Sequence, residues 1–339
     1  FWEGFASAAD DLLNTLQGGE KDPLAALLKD NRNIRWVRLA KGDPIPRALK
    51  GCIGEGPTQC PRAGPKTQGR GTHTHIYVAP KGKYTVVSSV DLEADAELWI
   101  ERGSTIVIDG RKIPHDYALR LRGHLRVYGE GDDRVEIVIK HNNPDKTGFA
   151  LLLASKSFQY FTDLEIDLAT DEGVCTAIQA QEAGGVWVQY CTIDGGEAQY
   201  GHTGMRIAQH SSSYLFDSEL KSLSSAIVLK STATLGRNTF SENGNTLLPQ
   251  WYLGDMYVLE NEFVANTYDL AGGSTGYGGD VWVYSCNLTS NLSLHTGPYP
   301  QYHFGANFWK TGKERQIDRW AEGGASSATF EDGDEVKKK

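Results

Sequence analysis

No stretch of the sequence approaches the ~20 consecutive apolar residues that a helix needs to cross a bilayer, so no membrane-spanning helix is expected. Positive charge is also in short supply. Lys and Arg number 34 against 43 Asp and Glu, a net charge of −9, which argues against general affinity for nucleic acid or an anionic membrane surface. Any basic site must therefore be local. Proline is sparse at 12 residues, and five cysteines are too few for a dense disulfide framework and odd in number, leaving at least one unpaired. There is no phosphate loop, no dinucleotide fingerprint, and no second cysteine pair to complete a zinc site. The chain opens on Phe1 instead of Met, as expected of a processed or truncated product.

What the sequence does have is 38 glycines and abundant Val, Ile, Thr and Tyr, a balance that favours strands and turns. It also repeats. Six segments align: FTDLEID from Phe161, VQYCTID from Val188, LFDSELK from Leu215, LGRNTFS from Leu235, VLENEFV from Val258 and VYSCNLT from Val283. Three residues into each stands the column Leu164, Cys191, Ser218, Asn238, Asn261, Cys286, and two further on the column Ile166, Ile193, Leu220, Phe240, Phe263, Leu288. Side chains alternate across a strand, so both columns face inward while Glu165, Thr192, Glu219, Thr239, Glu262 and Asn287 face outward.

A second set shares the rhythm: ALRLR from Ala118, ALLLA from Ala150, AIQAQ from Ala177, GMRIA from Gly204 and AIVLK from Ala226. Its inward residues are Leu119/Leu121, Leu151/Leu153, Ile178/Ala180, Met205/Ile207 and Ile227/Leu229. Its outward residues include Arg120, Arg122, Gln179, Gln181, Arg206 and Lys230. Short strands returning every 20 to 30 residues or so suit a coiled stack of parallel strands.

The Asn-x-Phe step, Asn238-Thr239-Phe240 and again Asn261-Glu262-Phe263, degenerating to Cys-x-Ile/Leu elsewhere, resembles the right-handed parallel β-helix (pectate-lyase-like) superfamily of polysaccharide lyases, glycosidases and phage tailspikes. The resemblance covers about His73 to Ser293. It implies an all-β solenoid over 73–295, a capping region over 1–72 and an aromatic cap and charged tail over 296–339; within the first, the spacing of Phe5, Leu12, Leu13 and Leu16 fits an amphipathic helix of about three to four turns, with a second short one expected at Pro23 to Leu28. Cys52 and Cys60, flanking a Gly/Pro-rich loop, are expected to close a disulfide and so to indicate an oxidising compartment. Cys191 and Cys286, four turns of the repeat apart at about 4.8 Å each, are expected to stay unbonded.

In that superfamily the sheet carrying the second strand set commonly floors a substrate groove. The resemblance thus implies an acidic polysaccharide held by Arg120, Arg122, Gln179 and Gln181, together with the aromatic Trp187 and Tyr214. The alternative for the charged residues is a solvated sheet face. No Asp or Glu stands among those outward positions, which disfavours a carboxylate-pair glycosidase and a calcium site. A metal-independent β-elimination, with no cofactor, fits better: Lys230 or His202 as base, Tyr200 as acid and Arg206 stabilising charge.

Ahead of the first set stands a further column, Tyr160, Trp187, Tyr214, Thr234, Tyr257 and Trp282, which faces outward only if the backbone bends before Leu164. It carries the other functional expectation: a non-catalytic virion or cell-surface subunit assembling through these aromatics, a trimer if tailspike-like. Both readings imply an extracellular, periplasmic or virion-surface location.

Overall fold

In the computed structural model, the described residues are 34–49, 74–94, 96–113, 115–141, 147–168, 173–181, 184–197, 201–250, 254–271, 279–293, 302–305, 307–309 and 328–330. The expected amphipathic helix, Cys52, Cys60 and Tyr200 lie outside them. Among the described residues the only helical element is a single 3-10 turn at Gly110–Lys112; everything else regular is β-strand.

The strands fall into four sheets, and every ladder is parallel. A four-stranded N-terminal sheet runs from Ile34–Arg38 to His124–Tyr128. Sheet I has ten strands from Lys83–Val86 to Phe308–Trp309, sheet II ten from Ala48–Leu49 to Asn291–Ser293, and sheet III eight from Phe158–Thr162 to Ala328–Phe330. The chain visits them in rotation. Phe158–Thr162 lies in III, Leu164–Asp167 in I, Val174–Ala180 in II, and Gly185–Gln189 then pairs back onto Phe158–Thr162. This order is compatible with a parallel β-helix. Strands extend beyond 73–295 on both sides, since Ile34–Arg38 pairs with Thr74–Ala79 and Val281–Tyr284 with Tyr302–Gly305.

The inward columns read from the sequence are buried. Ile166, Ile193, Leu220, Phe240, Phe263 and Leu288 fill one wall, and Leu119, Leu151, Ile178, Met205 and Ile227 another. The wall opposite is Phe161, Val188, Leu215, Leu235, Val258, Val283 and Phe304. Phe240 and Phe263 stack at 5.2 Å.

The bend that the aromatic column requires is one residue long. Asp163, Tyr190, Asp217, Arg237, Glu260 and Ser285, each between a sheet III strand and a sheet I strand, all have φ between 48° and 57°. A left-handed residue costs a non-glycine about 1–2 kcal/mol. It also breaks the ladder, leaving the N–H of the next residue without a strand partner in the core. The inward column supplies that partner from the next repeat. Cys191 N–H donates to Ser218 Oγ (3.1 Å), Ser218 N–H to Asn238 Oδ1 (3.0 Å), Asn238 N–H to Asn261 Oδ1 (2.9 Å), Asn261 N–H to Cys286 Sγ (3.4 Å) and Cys286 N–H to Asn307 Oδ1 (2.9 Å). The small polar residues of the repeat are there because each corner needs an acceptor.

A second corner, between sheets I and II, repeats the device. Ser222, Glu242 and Ala265 are left-handed, and Leu223 N–H donates to Asn243 Oδ1 (3.0 Å) and Asn243 N–H to Asn266 Oδ1 (2.9 Å). This ladder ends on Asp269, fully buried, which accepts from Asn266 Nδ2 (3.1 Å) and from the N–H groups of Thr289 (3.0 Å) and Ser290 (2.8 Å). Burial raises its carboxyl pKa, and those hydrogen bonds oppose the rise. Cys175, Cys191 and Cys286 are buried free thiols, and burial pushes the latter two up to about 12.

Candidate binding surface on sheet II

The outward face of sheet II is set by register. Asp91, Arg120, Leu152, Gln179, Arg206, Val228 and Leu248 align strand to strand. Two residues further along the same backbones come Arg122, Ala154, Gln181, Ala208 and Lys230, held by bonds such as Gln181 N–H to Leu153 O (3.0 Å) and Lys230 N–H to Ile207 O (3.0 Å). Of the residues that the sequence places on one surface, Arg120, Gln179 and Arg206 lie within sheet II strands, and Arg122, Gln181 and Lys230 each stand one residue past the end of a sheet II strand.

Their charges are not equivalent. Arg120 Nε lies 2.6 Å from Asp91 Oδ1, and Arg122 Nη1 lies 2.9 Å from Glu93 Oε2. Both arginines are neutralised by the strand before them. Arg120 also sits 5.2 Å over the Tyr117 ring, whose hydroxyl donates to Asp91 Oδ1 at 3.3 Å. Burial, then the Asp91 charge, raises the Tyr117 pKa, so its phenol stays a proton donor. Arg206 differs: it is exposed and makes no ion pair among the described residues. Lys230, half-buried, makes none either.

Beside this column an open depression of about 540 Å³ is lined by His115, Asp116, Tyr117, Phe149, Leu152, Gln179 and Gln181. His115 stacks on Tyr117 at 5.5 Å with the rings 8° apart. The segment carrying them is tied down by Phe149 N–H donating to Asp116 O at 2.6 Å. Gln179 Nε2 donates to Ala180 O at 2.9 Å, which leaves its carbonyl turned to other partners. Aromatic faces, amides, one carboxylate and one imidazole are groups that recognise hydroxylated rings.

Sequence reasoning did not single out His115, Asp116, Tyr117, Phe149 or Leu152, nor either partner carboxylate. The signal was present. Tyr117 and Phe149 immediately precede the small residues Ala118 and Ala150 that open their repeat segments in the sequence, and Val90-Asp-Leu-Glu93 alternates as the later segments do.

Two predicted groups fall elsewhere. His202 is fully buried, its Nδ1 accepting the Cys175 N–H at 3.1 Å and its carbonyl accepting from Ser224 (3.0 Å) and Ser225 (3.2 Å), so it is removed from the surface as a base. Trp187 and Tyr214 belong to sheet III. The column there runs Tyr160, Trp187, Tyr214, Thr234, Tyr257, Trp282, His303, facing outward as expected. Its rings spend their faces on one another. Trp187 lies 5.4 Å from Tyr214, Tyr257 5.0 Å from Trp282, and Trp282 5.0 Å from His303, all stacked. Parallel strands about 4.8 Å apart bring equivalent rings to stacking distance, leaving edges for solvent. Trp187 and Tyr214 therefore do not join the sheet II surface.

Among the described residues, no group of three or more His, Cys, Asp and Glu side chains is arranged to hold a metal ion. No helix among them is long and apolar enough to cross a membrane. Comparison of the chain with protein-family models, with curated proteins and with solved structures found no match in any of the three.

Proposed function

We propose that this chain is a secreted or virion-borne right-handed parallel β-helix of the pectate-lyase-like kind, and that it binds an acidic polysaccharide across sheet II. The observation that carries the reading is Arg206: an exposed guanidinium without an ion pair among the described residues, in register with Gln179 and next to a depression lined by Tyr117 and Phe149. On a protein of net charge −9, a guanidinium left unneutralised where Arg120 and Arg122 are both paired suits a carboxylate ligand. Lys230, one residue past the end of the neighbouring strand, takes the uronate C5 proton and Arg206 stabilises the charge that develops on the carboxylate; the C4–O bond breaks as the C4=C5 double bond forms, and the departing oxygen takes a proton from water. With His202 buried, Lys230 carries that role alone among the described candidates.

The test is a screen of acidic polysaccharides for the absorbance of new unsaturated ends, run beside a binding assay, with Arg206→Ala and Lys230→Ala in parallel. Binding without turnover leaves a carbohydrate-binding protein; loss of neither binding nor turnover in Arg206→Ala removes the reading. A second reading rests on sheet III, where Tyr160 is 37% exposed, and on the adjoining corner, where Tyr190 is 41% exposed. There the chain is a structural or attachment subunit assembling through these rings, which mass measurement in solution tests.

A further inference from the structure

Resting on the assembly reading of sheet III, we propose that two copies of this chain pair through the outer faces of that sheet, antiparallel, about a two-fold axis that runs along the strand carrying Thr234. The argument is the order of residues along the outward column. Thr234 pairs in register with Tyr214 on one side and Tyr257 on the other. Beyond those stand Trp187 and Trp282, and beyond these Tyr160 and His303. The column reads nearly the same from either end. Trp187 stacks on Tyr214, and Tyr257 on Trp282, so the rings form two blocks with Thr234 between them. Thr232 and Gly236, the other outward positions of that strand, are small as well, which makes this rung the low line of the face.

A two-fold axis along that strand reverses the order of the rungs and keeps the strand direction, so the contact is self-complementary. Trp187 meets Trp282 of the second copy, and Tyr214 meets its Tyr257. In the next column Phe216 meets Leu259, each one rung from Gly236. The carboxylates select this axis. Asp255 and Asp280 stand one residue before Met256 and Val281, level with Ser212 and Gly185 of earlier rungs, and the antiparallel pairing sets Asp255 against Ser212 and Asp280 against Gly185. An axis along the solenoid would instead set Asp255 against Leu259 and Asp280 against Tyr284, burying carboxylates on apolar groups. The size fits a pair. Seven rungs at about 4.8 Å and strands of four or five residues give a face of about 29 by 15 Å, in projection more than half of the roughly 800 Å² that each partner buries in a standard interface. Trp187 is also fixed in advance, since its Nε1 donates to Gln189 Oε1 (3.3 Å) and Gln189 Nε2 donates to Asp217 Oδ2 (3.0 Å), which reduces the side-chain freedom lost on contact.

The experiment is sedimentation velocity on the full chain from about 1 to about 200 μM, where an interface of this size predicts a monomer–dimer equilibrium with a Kd of about 10 to 100 μM. Thr234→Arg sets two guanidinium groups against each other on the axis and is expected to weaken the dimer at least about tenfold. Tyr160→Arg, at a ring 37% exposed, is expected to weaken it from the margin, and carries the test if circular dichroism shows that Thr234→Arg does not fold. Trp187→Lys and Trp282→Glu should each dimerise poorly alone and recover in an equimolar mixture, because only the antiparallel order brings those two positions together. A trimer, or a dimer untouched by the folded arginine variants, overturns the proposal; if Trp187→Ala still abolishes that assembly, the assembly reading stands without it. Failure of the mixture to recover overturns the antiparallel order. A parent chain that stays monomeric throughout overturns both.

Discussion

Asn261→Ala tests the corner ladder most sharply. The Asn261 side chain accepts through Oδ1 from the Asn238 backbone N–H and from Asn238 Nδ2, both at 2.9 Å, and donates through Nδ2 to Leu235 O (2.8 Å) and Leu259 O (3.0 Å). Alanine removes all four bonds in a core where water cannot replace them. Two buried donors are then orphaned at roughly 1–3 kcal/mol each, so the substitution should cost about 4 kcal/mol. With a urea dependence on the order of 3 kcal/mol per molar, the midpoint should fall by about 1.3 M at unchanged slope. The neighbouring Glu262 points out into solvent, and Glu262→Ala should stay within about 0.5 kcal/mol. Urea titrations followed by far-UV circular dichroism compare the two. An Asn261→Ala midpoint no lower than that of Glu262→Ala would refute the claim that side-chain acceptors stabilise the left-handed corners.

Three further outcomes follow from the same packing. Asp269 binds its proton more tightly folded than unfolded, so its contribution to stability is present at low pH and is lost as pH rises from about 4 through its raised folded value; the stability of wild type relative to Asp269→Asn should fall over that rise in pH-dependent unfolding. Cys191 and Cys286, with thiols pushed up to about 12, should resist iodoacetamide at pH 8 in the native protein and react once it is unfolded, as peptide mass spectrometry will read. Arg120→Ala removes a partly exposed ion pair and the cover over Tyr117, and should lower stability by about 1 kcal/mol while changing acidic-glycan affinity far less than Arg206→Ala does, as calorimetry will read.

The parts of the fold legible in the sequence are those written by alternation. Leu119/Leu121 through Ile227/Leu229 are buried as the repeat requires, because a parallel strand that packs one face on a core must keep that face apolar. Asn238 and Asn261 were visible as an inward pair for the same reason. Their partners across the corner were not, because a left-handed residue carries no sequence mark here: Tyr190, Arg237 and Glu260 occupy a conformation that favours glycine. The second ladder did have a mark, since Asn243 and Asn266 each follow the first ladder's asparagines by five residues, but it spans only two clear repeats.

The surface was legible in position and not in charge. Outward placement of Arg120 and Arg206 follows from alternation, whereas their different states depend on a strand, Val90–Leu92, that is preceded by Ser89 where the repeat has Ala or Gly. Trp187 and Tyr214 were correctly outward and wrongly grouped, because alternation reports which side of a strand a residue takes and not which sheet the strand joins. His202 was misread for a related reason. A polar residue beside glycine at a strand entry reads as a turn, yet it stands one residue before the Thr176–Thr203 pair, level with buried Cys175, and points into the core.

The most direct measurement of the central claim is the affinity of the parent chain and of Arg206→Ala for an acidic oligosaccharide, determined by calorimetry at low and physiological salt with thermal unfolding recorded on both proteins. The account predicts measurable binding by the parent that weakens with salt, and a loss of at least about tenfold in Arg206→Ala with no change in unfolding temperature beyond that of an ordinary surface substitution. Equal affinity in the two proteins would contradict it.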